Sequence, residues 1–158
     1  MPADRILRVG GQEADNRTLE ALLKAAGMND VKFATSGDAL PLITGHQCDI
    51  VVLDLMQSSG EVLKLLRAAS PSEDGGARVP VVVTAPPTAT DRIQSCLQYG
   101  AEDFILTPVD SKAPLLVTRR IALALQRRRM ADFKIKVNAP AQEPDETAVL
   151  KFDDAFLR

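Results

Sequence analysis

Five short apolar segments alternate along the chain with five segments of helical periodicity, and this alternation constrains the fold more than any other feature. The apolar segments lie at 6–9, 31–35, 48–55, 79–85 and 102–106. The third, CDIVVLDL, is a nearly continuous aliphatic run, which is typical of a strand buried on both faces of a parallel sheet. Strands that alternate with helices form a doubly wound α/β fold. The sequence therefore predicts a five-stranded parallel sheet with helices on both faces.

The helical segments lie at 15–28, 37–45, 60–69, 90–100 and from 111 to about 133, so the last helix is extended. We expect Pro41 in the first turn of the second helix, where a missing N–H is tolerated, and Thr90 as the N-cap of the fourth. Val117, Ile121 and Leu125 recur at helical spacing and predict the side of the last helix that packs on the sheet.

The composition argues against several classes of protein. A formal net charge of -2 gives no overall field that would attract nucleic acid or an acidic membrane. The histidine and cysteine content is too low for a Cys/His zinc site, and no apolar run approaches the roughly 18 residues of a membrane span. The start, MPADRILRVGG, lacks the apolar core of a signal peptide. We therefore expect a cytoplasmic protein with reduced thiols that binds neither nucleic acid nor membrane.

The composition changes after the long helix. We predict one domain over 1–133 and a flexible tail or linker over 134–158, which contains AVLKFDDAFL and could bind a partner. Basic residues cluster before and across this boundary, at Arg119, Arg120, Arg127, Arg128, Arg129, Lys134 and Lys136. They are consistent with a solvated helix end or with an acidic partner. Leu116, Leu123 and Met130 are spaced by a heptad, which is compatible with a homodimer.

In doubly wound sheets, functional residues gather at the carboxyl ends of the strands. The residues at these ends are Gly10, Gly11, Asp54, Thr84, Ala85, Thr107 and Pro108. From its strand alone, Asp54 is either a loop cap or a functional carboxylate, since polar strand ends are common.

Two segments narrow this choice. DIVVLDLM (49–56) and GAEDFILTPVD (100–110), set in five strand–helix units, resemble the receiver domains of response regulators over about residues 5–130. The likeness is closest to the receivers that precede diguanylate cyclase domains, and it rests on DRIQSCLQYGAEDFILTPVD and the arginine-rich last helix. The resemblance implies a flavodoxin-like fold and a role in bacterial two-component signalling, in which a histidine kinase supplies a phosphoryl group to the strand-3 aspartate.

The resemblance makes Asp54 the candidate phosphoacceptor and marks several other positions as degenerate. The acid pair that would help to hold Mg²⁺ falls on Gly10 and Gly11. The lysine that would pair with the phosphoryl group falls on Thr107, which is short and neutral.

The remaining two positions of the receiver pattern are filled differently. Counting from Pro80 places Ala85 at the position of the phosphate-binding hydroxyl, whereas Thr84 fits if the strand has lost a residue. Phe104 matches the aromatic position in strand 5 that reports a change to partners.

We interpret Gly10 and Gly11 as the remains of a vacated metal site. VGGQEA has the spacing of neither GxGxxG nor GxxxxGK[ST], so a phosphate cradle is not supported. Glu13 and Asp54 are the remaining, weak candidates for a Mg²⁺ ligand. Without metal or lysine we expect no cation beside Asp54, so that a phosphoryl group there would be poorly balanced and its transfer slow.

Three functions are compatible with this pattern. The first is an atypical receiver that binds proteins independently of phosphorylation, needs no cofactor and catalyses no reaction. The second is a functional phosphoacceptor with an altered metal site, for which Mg²⁺ would be the cofactor. The third, a small enzyme or cofactor binder on the same fold, has no motif to support it. Implied partners are a histidine kinase, another response regulator or an output domain. The expected contact surface joins helix 4, strand 5 and helix 5 through Arg92, Gln94, Tyr99, Phe104, Arg119 and Arg120.

Overall fold

The computed structural model describes residues 4–70 and 79–138, and for 131, 132 and 134–138 it describes the backbone alone. The strands are β1 (Ile6–Val9), β2 (Val31–Ala34), β3 (Ile50–Asp54), β4 (Val81–Ala85) and β5 (Asp103–Leu106). The helices are α1 (Glu13–Ala25), α2 (Ser36–Thr44), α3 (Ser59–Ala69), α4 (Thr90–Gln98) and α5 (Pro114–Asn138). The sequence also predicts an exposed loop at 70–78, and residues 71–78 of it lie outside the described residues, as do residues 139–158 of the expected tail.

The strands form one parallel sheet in the order β2-β1-β3-β4-β5, which confirms the predicted doubly wound architecture. Its two faces carry separate apolar clusters, because successive side chains of a strand point to opposite faces. Leu7 and Val9 pack on the α2–α3–α4 face, and Ile6 packs on the α1–α5 face. Arg8 follows the same alternation and so belongs to the face of Ile6.

Helix ends depart from the sequence prediction where side-chain caps decide them. The Thr35 hydroxyl accepts the Asp38 N–H at 3.2 Å, so α2 begins at Ser36 and Pro41 lies inside the helix rather than in its first turn. Thr90 is the first residue of α4 and not its N-cap, because its hydroxyl donates to the Pro87 carbonyl at 2.8 Å.

The last helix starts three residues later than predicted and runs beyond Phe133, to Asn138. Its predicted packing side is confirmed, since Val117, Ile121 and Leu125 are buried. A compact unit spans residues 1–128, and all side-chain contacts described below lie within it. Among the described residues, no helix combines the length and apolar character that a membrane span requires.

Three arginines of α5 pair with acids near the sheet, which accounts for part of the basic cluster. Arg120 Nη1 lies 2.6 Å from Asp103 Oδ1. Arg127 Nη1 lies 3.8 Å from Glu102 Oε2. Arg128 Nη1 lies 3.6 Å from Asp49 Oδ1. Asp49 also accepts hydrogen bonds from the backbone and side chain of Arg5 at 2.7 and 3.2 Å. Burial opposes ionisation of Asp49, but the bonds from Arg5 and the charges of Arg5 and Arg128 outweigh it and lower the pKa of the carboxyl group.

We predict that Asp49→Asn destabilises the protein at pH 7 and that this difference vanishes in acid. The folded-state pKa of Asp49 is lowered, so its contribution to stability is full above the unfolded pKa and is lost as the pH falls through the folded one. Urea denaturation of both proteins at pH 7 and at about pH 3 measures the difference. The exposed Asp38→Asn is a control for loss of a surface charge, and an equal difference at both pH values would contradict the prediction.

Candidate functional site

Three polar side chains meet on one face of the sheet near the carboxyl ends of β1, β3 and β4. Asp54 pairs with Thr84 across β3 and β4, and Arg8 pairs with Val52 across β1 and β3. Residues 8, 52, 54 and 84 therefore project to the same side, because strand side chains alternate with a period of two. All three polar side chains are buried, and Arg8 and Thr84 are 0% exposed.

Both carboxylate oxygens of Asp54 accept hydrogen bonds. Oδ1 accepts the Thr84 hydroxyl at 2.8 Å, and Oδ2 accepts the Met56 backbone N–H at 3.1 Å. The carboxylate is thus held by the neighbouring strand on one side and by its own loop on the other. Asp54 is 6% exposed, so these partners replace most of its hydration.

The guanidinium group of Arg8 occupies the space beside this carboxylate. Its Nε donates to Asn16 Oδ1 at 2.7 Å, and Nη1 donates to the Thr84 hydroxyl at 2.7 Å. Its Nη2 lies 3.7 Å from Asp54 Oδ1 and has no hydrogen-bond partner among the described residues. Because a guanidinium only donates, the Thr84 hydroxyl must accept a hydrogen bond from Arg8 and donate its own to Asp54.

Arg8 is a buried positive charge, which overturns the expectation that no cation lies beside Asp54. Burial lowers the pKa of Arg8, while the negative charges of Asp54 and Asp15 oppose that shift. A guanidinium stays protonated at any physiological pH, so the pair is an ionic one. Taking both charges out of water is costly unless each is paired and hydrogen-bonded. Here the two charges are paired, and hydrogen bonds satisfy both oxygens of Asp54 and two of the three nitrogens of Arg8.

Gly10 and Gly11 make room for side chains of the pocket. Both have positive φ, of 71° and 90°. A Cβ on Gly11 would lie 2.2 Å from Arg8 Nη2 and 2.7 Å from Asn16 Oδ1, and one on Gly10 would lie 2.7 Å from Gln57 Nε2. The absence of side chains at 10 and 11 is therefore what admits the guanidinium and the Gln57 amide.

Gln57 closes the same end of the sheet. Its side-chain amide donates to the Asp54 backbone carbonyl at 3.0 Å, and its backbone carbonyl accepts from Arg92 Nη2 at 2.9 Å. Asn16, in the first turns of α1, donates to the Gly10 carbonyl at 3.1 Å. These contacts fix the loops after β1 and β3 around the ion pair.

The structure also places the other residues that the sequence predicts for this site. The position of the phosphate-binding hydroxyl beside Asp54 belongs to Thr84 and not to Ala85. Ala85 projects to the opposite face of the sheet and packs in the other apolar cluster. Thr107 follows β5 and carries no charge; its backbone N–H donates to the Ala85 carbonyl at 2.9 Å. Glu13 does not reach the pocket, since it pairs with Arg17 one turn along α1 and its side chain is 78% exposed.

The predicted contact residues divide into exposed and internally engaged side chains. Gln94, Tyr99 and Arg119 are exposed. The others make internal contacts: Arg92 with Gln57, and Arg120 with Asp103 and with the ring of Phe104, whose centroid lies 4.9 Å from the guanidinium carbon.

Sequence reasoning missed Arg8, Asn16 and Gln57. The signal for Arg8 was available, because ILRV contains one charge in a strand that a parallel sheet covers on both faces. A buried arginine requires a carboxylate partner, and period-two counting places Asp54 on the same face. No comparable sequence signal marks Asn16 or Gln57.

The chain is similar in sequence to two-component response regulators. No protein-family model matches the chain. It is 25% identical to the two-component response regulator ARR7 of Arabidopsis thaliana over 99% of this chain and 81% of that protein. It is 31% identical to the two-component response regulator ORR1 of Oryza sativa subsp. japonica over 68% of this chain, and it spans 51% of that protein's length.

Solved structures share the fold. A response regulator of Chloroflexus aurantiacus matches with a TM-score of 0.67 at 18% identity, over 79% of this chain and 99% of that one. The receiver domain of the sensor histidine kinase PA1611 from Pseudomonas aeruginosa, solved with magnesium coordinated in its active-site cleft, matches with a TM-score of 0.56 at 19% identity, over 77% of this chain and 99% of that one. By fold and by sequence similarity, the chain contains a response-regulator receiver domain.

The pocket of this receiver does not fit a magnesium ion. Mg²⁺ requires near-octahedral oxygen ligands at about 2.1 Å. The described residues contain no cluster of three or more acidic, histidine or cysteine side chains that could hold a metal. Asp54 is the carboxylate at the centre of the pocket, both of its oxygens have partners, and a guanidinium nitrogen lies 3.7 Å from one of them.

We predict that the Arg8–Asp54 pair of this receiver is strongly coupled in stability. Arg8→Met or Asp54→Asn alone leaves one buried charge without its partner and should cost about 3 kcal/mol of unfolding free energy. The double variant removes both charges and should cost less than the sum of the two. A double-mutant cycle in urea measures the coupling energy, and additive costs would contradict the prediction.

We also predict that Gly11→Ala destabilises more than Gly27→Ala. The two glycines have similar φ, of 90° and 85°, but a Cβ on Gly27 meets nothing within 4 Å. Gly27→Ala therefore reports backbone strain of about 1–2 kcal/mol, and the excess at Gly11 reports displacement of Arg8 and Asn16. Thermal unfolding measures both variants. In an Arg8→Ala background the excess should shrink, and an unchanged excess would show that Arg8 is not what the glycine accommodates.

Proposed function

We propose that this receiver acts as a phosphorylation-independent protein-interaction module in two-component signalling. The observation that carries the proposal is the Arg8 guanidinium beside Asp54, where it is held by Asn16 and Thr84. The fold of a receiver is kept, while the surroundings of its aspartate are arranged for an internal ion pair. We further propose that the domain catalyses no reaction, needs no cofactor and works in the cytoplasm.

Both charge and space oppose phosphoryl transfer to Asp54 in this proposal. Phosphoryl transfer depends on cations that neutralise the transferring oxygens, and Mg²⁺ usually does this. A second cation beside Asp54 would be repelled by Arg8, and the glycines provide no ligand to compensate. A phosphoryl group on Asp54 would also displace hydrogen bonds at a carboxylate that is 6% exposed. Both effects raise the barrier to transfer.

The partner surface that we propose lies around β5 and its neighbours α4 and α5. Tyr99, Leu106 and Leu116 are 61%, 46% and 62% exposed. A cleft of about 230 Å³, lined among others by Phe104, Leu106, Leu116 and Arg120, lies along β5 and the start of α5. Exposed aromatic and aliphatic side chains next to an arginine are features of protein interfaces. A histidine kinase, another response regulator, an output domain or a second copy of the chain are the partners that this surface would serve.

One observation favours the alternative of a working phosphoacceptor. Thr84 donates to Asp54, and Arg8 provides a positive charge 3.7 Å from it, so the protein itself could offset part of the phosphoryl charge. In that case the metal site would be altered rather than lost. The similarity to receivers ahead of diguanylate cyclase domains remains a prediction under either function.

Phosphorylation can be tested with acetyl phosphate and intact mass spectrometry. We expect no gain of one phosphoryl group in the full chain, with Mg²⁺ or with EDTA, because no cation can enter beside Asp54. Asp54→Asn controls for reaction at other residues, and a metal-binding receiver controls for the reagent. A gain in the wild type that is absent in Asp54→Asn would establish the alternative, and its dependence on EDTA would show whether metal is required.

A further inference from the structure

The surroundings of Arg8 offer a guanidinium group negative charge and hydrogen-bond acceptors for two of its three nitrogens. A guanidinium is planar and carries only donors. Beside it lie the carboxylate of Asp54 and two acceptor oxygens, on Asn16 and Thr84, and the negative charge of Asp15 also acts on it. Asn16 can present only its oxygen to Arg8, since its amide nitrogen donates to the Gly10 carbonyl. The pocket therefore offers acceptors and negative charge to a guanidinium group.

Gly11 has no side chain, and this leaves the space that the Arg8 guanidinium group occupies. A Cβ at this position would overlap both Nη2 and the guanidinium carbon, at 2.2 and 2.9 Å. The backbone of the β1–α1 loop thus approaches the group as closely as sterics allow. Arg8 is 0% exposed, so the contact is sealed from solvent.

We infer that this pocket is a guanidinium-binding site, filled by the chain's own Arg8, which stands in place of a divalent cation. The inference goes beyond the proposed function, because it concerns which cation the pocket accepts and not whether Asp54 is phosphorylated. A tethered cation cannot dissociate, and its occupancy does not depend on ion concentration. The Arg8 side chain thereby makes the pocket independent of Mg²⁺.

Removing the Arg8 side chain should leave a site that takes a small guanidinium ligand. The probe is ethylguanidinium, which carries the same head group on a short stem. In the full-length Arg8→Ala variant, about 10 mM ethylguanidinium should raise Tm by about 3 °C or more, because a ligand that binds the folded state stabilises it. Equal concentrations of MgCl₂ or NaCl should raise it less.

Two controls separate site binding from general salt effects. Wild-type protein should not respond, because Arg8 fills the site. Arg5→Ala removes another carboxylate-paired arginine, whose side chain is 46% exposed beside Asp49, and should respond no more than wild type. An equal response of Arg5→Ala and Arg8→Ala, or a larger response of Arg8→Ala to MgCl₂ than to ethylguanidinium, would overturn the inference.

A measurement on the wild type decides the matter if Arg8→Ala does not fold. The side-chain Nε–H of Arg8 should give a slowly exchanging NMR signal, since it is buried and bonded to Asn16 at 2.7 Å. Its absence from the spectrum of Arg8→Lys assigns it. Addition of about 20 mM MgCl₂ should leave this signal in place, since Mg²⁺ finds no oxygen cage here. Its selective shift or loss on addition of Mg²⁺ would mean that the ion enters the pocket, and this would overturn the inference whatever the outcome with acetyl phosphate.

Discussion

The ion pair between Arg8 and Asp54 is the interaction on which the rest of the site depends. An arginine in the middle of a covered parallel strand would cost several kcal/mol if it were unpaired. Asn16 and Thr84 offset part of that cost by accepting hydrogen bonds from Arg8. Asp54 balances its charge, and Gly11 leaves space for the guanidinium group. The strand register makes this possible, because Asp54 and Thr84 are partners in adjacent strands on the face to which Arg8 points.

A built-in cation differs from a bound one in ways that matter for signalling. The guanidinium group spreads one positive charge over a plane, whereas Mg²⁺ carries two on a single ion. The guanidinium group needs acceptors at fixed positions, whereas Mg²⁺ needs a shell of oxygen ligands. The built-in cation cannot be released or exchanged, so the positive charge beside Asp54 does not depend on the concentration of any ion. In the function that we propose, the receiver keeps the scaffold that presents its surfaces, and a structural contact replaces the chemistry at the strand ends. The proposed role as a binding module follows from that exchange.

Much of the fold could be predicted from sequence because it depends on local patterns. Aliphatic runs such as that ending at Asp54 mark buried parallel strands, and the βα alternation gives their architecture. Helix ends were less predictable, since caps such as Thr35 compete with neighbouring hydroxyls. The site was predicted in part: Asp54 lies at the end of its strand as the pattern indicates, whereas counting from Pro80 places Ala85 at the position of the hydroxyl that Thr84 supplies. The structural role of Gly11 could not be predicted from the neighbouring sequence. It depends on the side chain of Arg8, which extends past the end of its own strand and occupies the space beside Gly11.

The central claim is that a guanidinium, and not a metal ion, stands beside Asp54. Crystals of the wild-type chain grown with millimolar MnCl₂ test it most directly, because Mn²⁺ favours the same oxygen ligands as Mg²⁺ and scatters anomalously. The account predicts electron density for the Arg8 guanidinium between Asn16, Thr84 and Asp54, and no anomalous peak within coordination distance of the Asp54 carboxylate. An anomalous peak there, with Arg8 turned away, would contradict it.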